Sequence, residues 1–466
     1  MVNFHTPEVL TKELQIQHVA STGQRRIRLS TNFLGNFGFL PGTRLTARHC
    51  SRGFDLVPST QANSPWKVHL RRYAHRRNNP TESIIDIQGN DFINKVVPCN
   101  VERLHFTLLQ NQILVRPVYA PLFHIRQRMQ NCTEKGLCSF LALSSGLDAV
   151  AFAKAGFSIQ AVLDWRPPEV RDAADLTETG LCTVLANHKP RLVFNEDITR
   201  VDMRRLAGKL RTIGDVAMLG IGLQCDDFSS AKSASHKRAE RAEFRPSSRE
   251  LGFYATRLID EVRPATVLIE NVPGWHQSEA QAILGAVLTR IGYYVQAKVL
   301  NAADFGALTR RVRCYLVASC WPGYEFPEPT ARNLVPLKEI LKKEALLFKD
   351  VGHTRTIAAA KASDRARFCP LESTTAPTVL KSQARRTKDS LYFTDDAGRI
   401  LFPTVSALKT LHGFGEELNL GAVSSEVATE QIGQGIDLAL HQRAAEQLHK
   451  HIWLNCRTAR QGNPAS

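Results

Sequence analysis

The rhythm of apolar and polar positions changes three times along the chain. From residue 1 to about 130, short β-forming runs such as Ile27–Leu29 and Ile113–Val115 are broken by Arg-rich polar stretches, with little helical periodicity. From 136 to about 320, unbroken apolar runs such as Val216–Leu219 and Val267–Ile269 take turns with amphipathic helical stretches. Runs of that kind suit strands covered on both faces, so this span predicts a parallel α/β sheet. From 321 to 400 the period is lost among Pro322, Pro327, Pro329, Pro336, Pro370 and Pro377, with a basic run at Lys381–Lys388. Helical periodicity returns over about 403–456.

The first region repeats itself weakly. Ile27–Ser59 and Ile85–Val118 align with Ile27 and Leu29 on Ile85 and Ile87, Pro41 on Pro98, and Phe54, Leu56 and Pro58 on Ile113, Val115 and Pro117. Each copy reads as strand, short helical or loop segment, turn at the proline, then hairpin. One copy buries too little to stand alone, so the two are expected to pack together as one small barrel. The expected domains are a duplicated β-rich, barrel-like domain over 1–125 with DNA binding as its candidate role, a catalytic domain over 136–321, a recognition region over 322–400, and C-terminal helices over 401–456 completing the catalytic domain.

Charge adds a partner to this picture. The 466 residues hold 60 Lys and Arg against 44 Asp and Glu, a formal net charge of +16. Residues 1–130 alone hold seventeen of the basic and seven of the acidic residues. Such an excess favours a polyanion, most simply nucleic acid. No apolar stretch approaches the ~18 residues of a membrane-spanning helix. The start, MVNFHTPEVL, lacks the basic-then-apolar order of a secretory signal. Ten cysteines without CxxC pairs argue against a zinc site or a disulfide framework. A metal-free protein of a reducing cytoplasm is expected.

Three segments carry candidate chemistry. In DVAMLGIGLQCDDFS, Asp215–Ser229, an apolar strand runs into a loop that presents Cys225, at the strand end where α/β proteins place reactive groups. In VLIENVPGW, Val267–Trp275, a buried strand ends in Glu270, which is costly unless used or paired. In FGALTRRVRCYLVA, Phe305–Ala318, Arg311 and Arg313 alternate into a strand, so both are expected on one face.

Thiol, carboxylate and alternating arginines in that order resemble the DNA (cytosine-5)-methyltransferase family. The likeness extends over roughly 136–456. SFLALSSGLDAVAFAKAGF (Ser139–Phe157), VLDW (Val162–Trp165), ANHKP to NEDI (Ala186–Ile198), TVSALKTLHGF (Thr404–Phe414) and QIGQGID (Gln431–Asp437) stand in the family's order. The first 35 or so residues of the N-terminal repeat weakly resemble the small β-barrel units of AbrB/SymE-type proteins. The family resemblance implies a doubly wound, seven-stranded, Rossmann-like methyltransferase sheet with one antiparallel strand, plus a small target-recognition domain. It implies a DNA (cytosine-5)-methyltransferase enzyme that transfers methyl from S-adenosylmethionine to carbon 5 of a cytosine flipped out of duplex DNA. Cys225 would be the nucleophile, Glu270 would act at ring nitrogen 3, and Arg313 with Arg311 would hold the base carbonyl. Ser145, Gly146, Asp164, Trp165, Asp197, Ile198 and Gln434 would contact the cofactor. Duplex DNA is the implied partner, a cognate restriction nuclease a further candidate, and no membrane is implied.

The chain departs from the family pattern at two places. The family's Pro-Cys is Gln224-Cys225-Asp226 here, which frees the backbone before the thiol and adds acids beside it. In the first cofactor turn, glycines give way to Leu143 and to Ser144 or Ser145, with Gly146 kept. Thr309 and Gln434 replace the usual Gln and Asn. These departures keep two other functions open: a catalytically impaired DNA-binding regulator on the same fold, and an RNA cytosine-5 methyltransferase.

Overall fold

The computed structural model describes residues 5–78, 80–134, 136–166, 178–228, 248–363 and 366–461. The chain divides into two compact units, Met1–Phe123 and His124–Ser466. No helix among the described residues is long and apolar enough to cross a membrane.

In the first unit both repeat copies fold alike. The first copy is β3 (Arg25–Ser30), a 3-10 turn (Leu34–Phe37) and the hairpin β4 (Arg44–Cys50) and β5 (Gly53–Pro58). The second is β7 (Thr81–Gln88), a helix (Asn90–Val96) and the hairpin β8 (Arg103–Leu109) and β9 (Gln112–Val118). Equivalent strands meet, with β3 antiparallel to β7 and β5 antiparallel to β9. β1 (Leu10–Gln15), β2 (Gln17–His18) and β6 (Trp66–Arg72) lie outside the repeat. The sheet order is β1-β8-β9-β5-β4-β6-β7-β3-β2. Since β1 and β2 are one stretch interrupted only at Ile16, the ladder returns to its own start. Ile16, Leu29, Phe37, Phe54, Ile87, Phe106 and Val115 fill the centre.

The second unit is built on a seven-stranded sheet of order β12-β11-β10-β13-β14-β16-β15. Its strands are β10 (Leu137–Ala142), β11 (Phe157–Leu163), β12 (Leu192–Phe194), β13 (Met218–Gly222), β14 (Thr266–Asn271), β15 (Tyr294–Asn301) and β16 (Val312–Ser319). All neighbours are parallel except β16, which runs against both β14 and β15. This is the doubly wound sheet with one antiparallel strand that the sequence implies. Its central strands are buried on both faces, which explains their unbroken apolar runs. Helices Leu147–Lys154, Leu251–Val262 and Glu279–Ile291 are among those linking them.

Much of 322–400 is less irregular than its prolines suggest. β17 (Lys349–Asp350), β18 (Arg367–Pro370), β19 (Leu391–Thr394) and β20 (Ile400–Phe402) form a sheet of order β17-β20-β19-β18. Strands of two to four residues are too short to show a period. Leu391 and Phe393 of this sheet share one core with Leu147 and Val150 of the helix after β10 and with Leu408 and Ile432.

Candidate active site

The carboxyl ends of β10, β11, β13 and β14 and the start of the antiparallel β16 open onto one cavity of about 1580 Å³. Such a sheet edge is where open α/β folds bind ligands. Cys225, Glu270, Arg311 and Arg313 line this cavity, and so do Ser145, Asp164, Trp165, Asp197, Ile198 and Gln434. Gly146 does not; it starts the helix Leu147–Lys154 at φ 91°, where an added Cβ would lie 2.9 Å from Thr183 Cγ2.

Pairing register sets the reactive groups side by side. Gly222 lies opposite Glu270, and Glu270 opposite Tyr315, so Cys225, three residues beyond β13, rises beside the end of β14. The thiol's loop is a turn closed by Phe228 N donating to Cys225 O at 2.9 Å. It leans on the loop after β14, where a Cβ on Gly274 would meet Phe228 O at 2.3 Å. Arg313 Nε stands 2.8 Å from Glu270 Oε1, both side chains being mostly buried. Asn271 Oδ1 accepts from Val272 N at 2.7 Å, which braces that loop.

Burial pushes the Cys225 thiol above its ordinary value; Arg313 and Arg311 oppose the rise, while Glu270 and Asp226 add to it. The two acids after the thiol separate in their effects. Asp226 is exposed and accepts from Gln224 Nε2 at 2.8 Å, so the residue in the family's proline position fastens the loop from its side chain. Asp227 is buried and turned to Ser248, whose Oγ donates to Oδ2 at 2.9 Å. Asp226→Asn should therefore move the rising limb of the pH–rate profile to lower pH and raise turnover at neutral pH, by roughly two- to three-fold for so exposed a charge. A profile unchanged or displaced to higher pH would contradict this.

Arg311 lines the same cavity as Arg313, but its side chain is tied to backbone rather than to Glu270. It is 1% exposed, and its guanidinium donates to the carbonyl oxygens of Val379, Gly433 and Gln434, each at 3.2 Å, and to that of Gly435. Thr309 Oγ1 donates to Asp437 Oδ2 at 2.9 Å beside it. β16 begins only at Val312, so alternation does not reach Arg311. A second constraint tightens this knot: a Cβ on Gly433 would sit 2.2 Å from Leu380 O. Gly433→Ala should cost about 2–3 kcal/mol by overpacking against fixed backbone, read as a lower midpoint in chemical denaturation. A loss below about 0.5 kcal/mol, typical of indifferent surface changes, would show that the backbones part easily.

The other end of the cavity is acidic. Asp164 and Asp197, which the sequence suggests as cofactor residues, line it together with Asp148, which the sequence does not single out. Burial pushes Asp148 up to about 6, against the Ser144 hydroxyl that donates to Oδ1 at 2.5 Å. Burial, with Asp148 nearby, pushes Asp164 up to about 7. The signal for Asp148 was an acid in the first turn of a helix four residues past a small polar residue. Asp197 Oδ1 accepts from Thr199 N at 2.8 Å and Thr199 Oγ1 at 2.9 Å. Trp165 is 38% exposed beside Asp164. Leu143 takes a left-handed φ of 56°, a conformation that glycine favours and that costs a leucine about 1–2 kcal/mol.

Comparison with known proteins agrees with this geometry. Residues 146–321 match the C-5 cytosine-specific DNA methylase family. The Type II methyltransferase M.NlaIV of Neisseria lactamica is 30% identical over 185 residues, covering 34% of this chain and 40% of that protein. M.HhaI of Haemophilus parahaemolyticus is 29% identical over 146 residues, covering 29% of this chain and 40% of that one. The chain thus spans about 40% of the length of these relatives. The fold is that of S. pombe Dnmt2 methyltransferase, with TM-score 0.53 at 16% identity over 68% of this chain and 99% of that one. The Entamoeba histolytica methyltransferase EhMeth matches with TM-score 0.53 at 13% identity over the same shares. Over residues 146–321 the chain is therefore similar to C-5 cytosine-specific DNA methylases, on a fold shared with methyltransferases of known structure.

Proposed function

We propose that the chain methylates carbon 5 of cytosine in duplex DNA with S-adenosylmethionine as donor. One observation carries this reading: a thiol, a Glu–Arg pair and a set of buried acids line the same cavity at the carboxyl ends of the strands.

The residues present fit that donor. A Cβ on Gly180 would lie 2.3 Å from Asp164 Oδ2 and 2.8 Å from Ser144 O, and one on Gly222 would lie 2.7 Å from Leu143 O, so the cavity's backbone walls close up without side chains. Asp148 and Asp164 make that end suited to a cationic ligand. Asp164 would hold the ribose hydroxyls, Asp197 the adenine amino group, and Trp165, Ile198, Ser145 and Gln434 the remaining faces. When bound, S-adenosylmethionine supplies an activated methyl group.

The protein's own side chains prepare the base. Cytosine carbon 5 is a weak nucleophile, and the target atom is out of reach inside a stacked duplex, so the base must be turned into the cavity. Glu270 holds ring nitrogen 3 through a shared proton, which makes carbon 6 electrophilic. Cys225, as thiolate, bonds to carbon 6 and leaves carbon 5 as the nucleophilic end of an enamine. Arg313 orients Glu270, favours the thiolate and stabilises charge on the base carbonyl. After methylation, loss of the carbon 5 proton and departure of the Cys225 thiolate restore the aromatic ring. Arg311 acts as a positioning residue behind this wall.

Bisulfite sequencing of DNA from cells expressing the protein tests the reading, since it reports activity and target sequence together. Protected cytosines at one recurring sequence are expected. Full conversion, alongside tight duplex binding by the purified protein, would favour a DNA-binding regulator instead, a reading that the raised thiol and the strained Leu143 support.

A further inference from the structure

From Leu56 to Thr81 the chain has no carboxylate, and it carries Lys67, Arg71, Arg72, Arg76 and Arg77 with His69 and His75. This stretch holds β6 and the turn leading into β7, paired from Val68↔Ile85 to Arg72↔Thr81. All five cationic residues are exposed. Val68 is buried under β6, so by alternation Lys67, His69 and Arg71 stand on its other face. Alternate side chains on a strand recur about every 6.6 Å, close to the interval between successive phosphates of one nucleic-acid strand.

The acids near this surface are already committed. Asp86, on β7, is paired with Arg26 and lies 3.4 Å from Arg28. Glu82, opposite Arg71 and largely buried, pairs with Arg76 at 3.4 Å. Among the described residues, Lys67, Arg71, Arg72 and Arg77 have no carboxylate within ion-pair distance. Tyr73 holds two of the guanidinium groups in place, Arg71 at 4.8 Å and Arg76 at 3.7 Å from the ring centroid. Four like charges without a carboxylate partner, gathered on one hairpin, repel each other unless a polyanion neutralises them, and positions stiffened by an aromatic ring lose less freedom when it does.

We infer that the β6–β7 hairpin is a phosphate-binding surface for duplex DNA, built from residues of the first unit alone. The inference rests on DNA being the substrate, and it gives the chain a sequence-independent grip that does not involve the site of chemistry. Each phosphate it neutralises adds about 0.9 to the slope of log K against log salt.

The test uses the full chain with Cys225→Ala, so that binding is read without turnover. Lys67→Ala, Arg71→Gln, Arg72→Gln and Arg77→Gln are combined; Arg76 is kept because it pairs with Glu82. Affinity for a random-sequence duplex is measured by fluorescence anisotropy from about 50 to 200 mM salt. The expected result is a salt slope lower by roughly 3, with affinity down at least tenfold at the low-salt end and the melting temperature unchanged. A second variant, Arg71→Lys with Arg72→Lys and Arg77→Lys, should keep the parental slope. An unchanged slope in the first variant overturns the inference. So does an equal loss in the lysine variant, or a loss seen with duplex RNA or heparin but not with DNA. Slope loss in a protein whose Cys225 parent proves unable to methylate would sink the proposed activity and leave the hairpin's role standing.

Discussion

Cys225→Ala should lower methyl transfer by roughly 10⁴-fold or more, because no other side chain can take over bond formation to carbon 6. Cys225 is the cysteine at the cavity: among the cysteines only it lines the wall that also holds Glu270 and Arg313. Duplex DNA carrying 5-fluorocytosine should trap the parent protein as a denaturation-resistant adduct in the presence of S-adenosylmethionine, and trap none of the variant. Duplex binding by the variant should persist, since the thiol lies beyond the strand end and carries no core packing. An adduct that survives the substitution would place the nucleophile elsewhere and end the proposed mechanism.

The second large effect is expected at Arg313. Its guanidinium serves two neighbours, Glu270 at 2.8 Å and the Cys225 thiol, whose rise it opposes more than any other charge does. Arg313→Gln should cost about 10²–10³ in kcat, the scale of a lost charge-stabilising donor. It should also carry a signature that a merely structural residue would not. The reactive form is the thiolate, and removing the cation disfavours it, so the rising limb of the pH–rate profile must move to higher pH. Asp226→Asn, which removes an anion, must move it the other way. If both variants shift the limb in one direction, the electrostatic account of this loop is wrong. Loss of Arg313 also leaves Glu270 without its ion-pair partner, so turnover is best normalised to protein that still binds S-adenosylmethionine.

The sheet, and the gathering of the candidate residues at one of its edges, were legible because both follow from solvent exposure. Strands covered on both faces must be apolar throughout, and the runs Val216–Leu219 and Val267–Ile269 could be little else. Acids and thiols at the ends of such runs mark the sheet edge, which is why Cys225, Glu270, Asp164 and Asp197 could be read directly. The duplication was legible for a similar reason, since Ile27 and Leu29 and their counterparts Ile85 and Ile87 pack on one another across β3 and β7. Arg311 was not legible. Its partners are backbone carbonyls more than sixty residues away at Val379 and about 120 away at Gly433 to Gly435, and carbonyls carry no sequence signature. Asp148 escaped because an acid in a helix's first turn is usual at the surface; only the packing of Ser144 and the helix start buries it. The small sheet of β17 to β20 escaped because strands of two to four residues span at most two periods, too few to show alternation.

The guanidinium of Arg311 also sets an order of events during synthesis. Three of its four carbonyl partners belong to residues 433–435, which leave the ribosome more than a hundred residues after it does. Until they arrive, a full positive charge waits at a position that the finished fold seals from water, and burying it without acceptors would cost several kcal/mol. The wall carrying Arg313 therefore cannot settle early in translation. Chains halted before this stretch should remain open at the edge of the sheet that carries Arg313 and be readily cleaved by proteases there, so that the cavity closes only once residues 433–435 have been made.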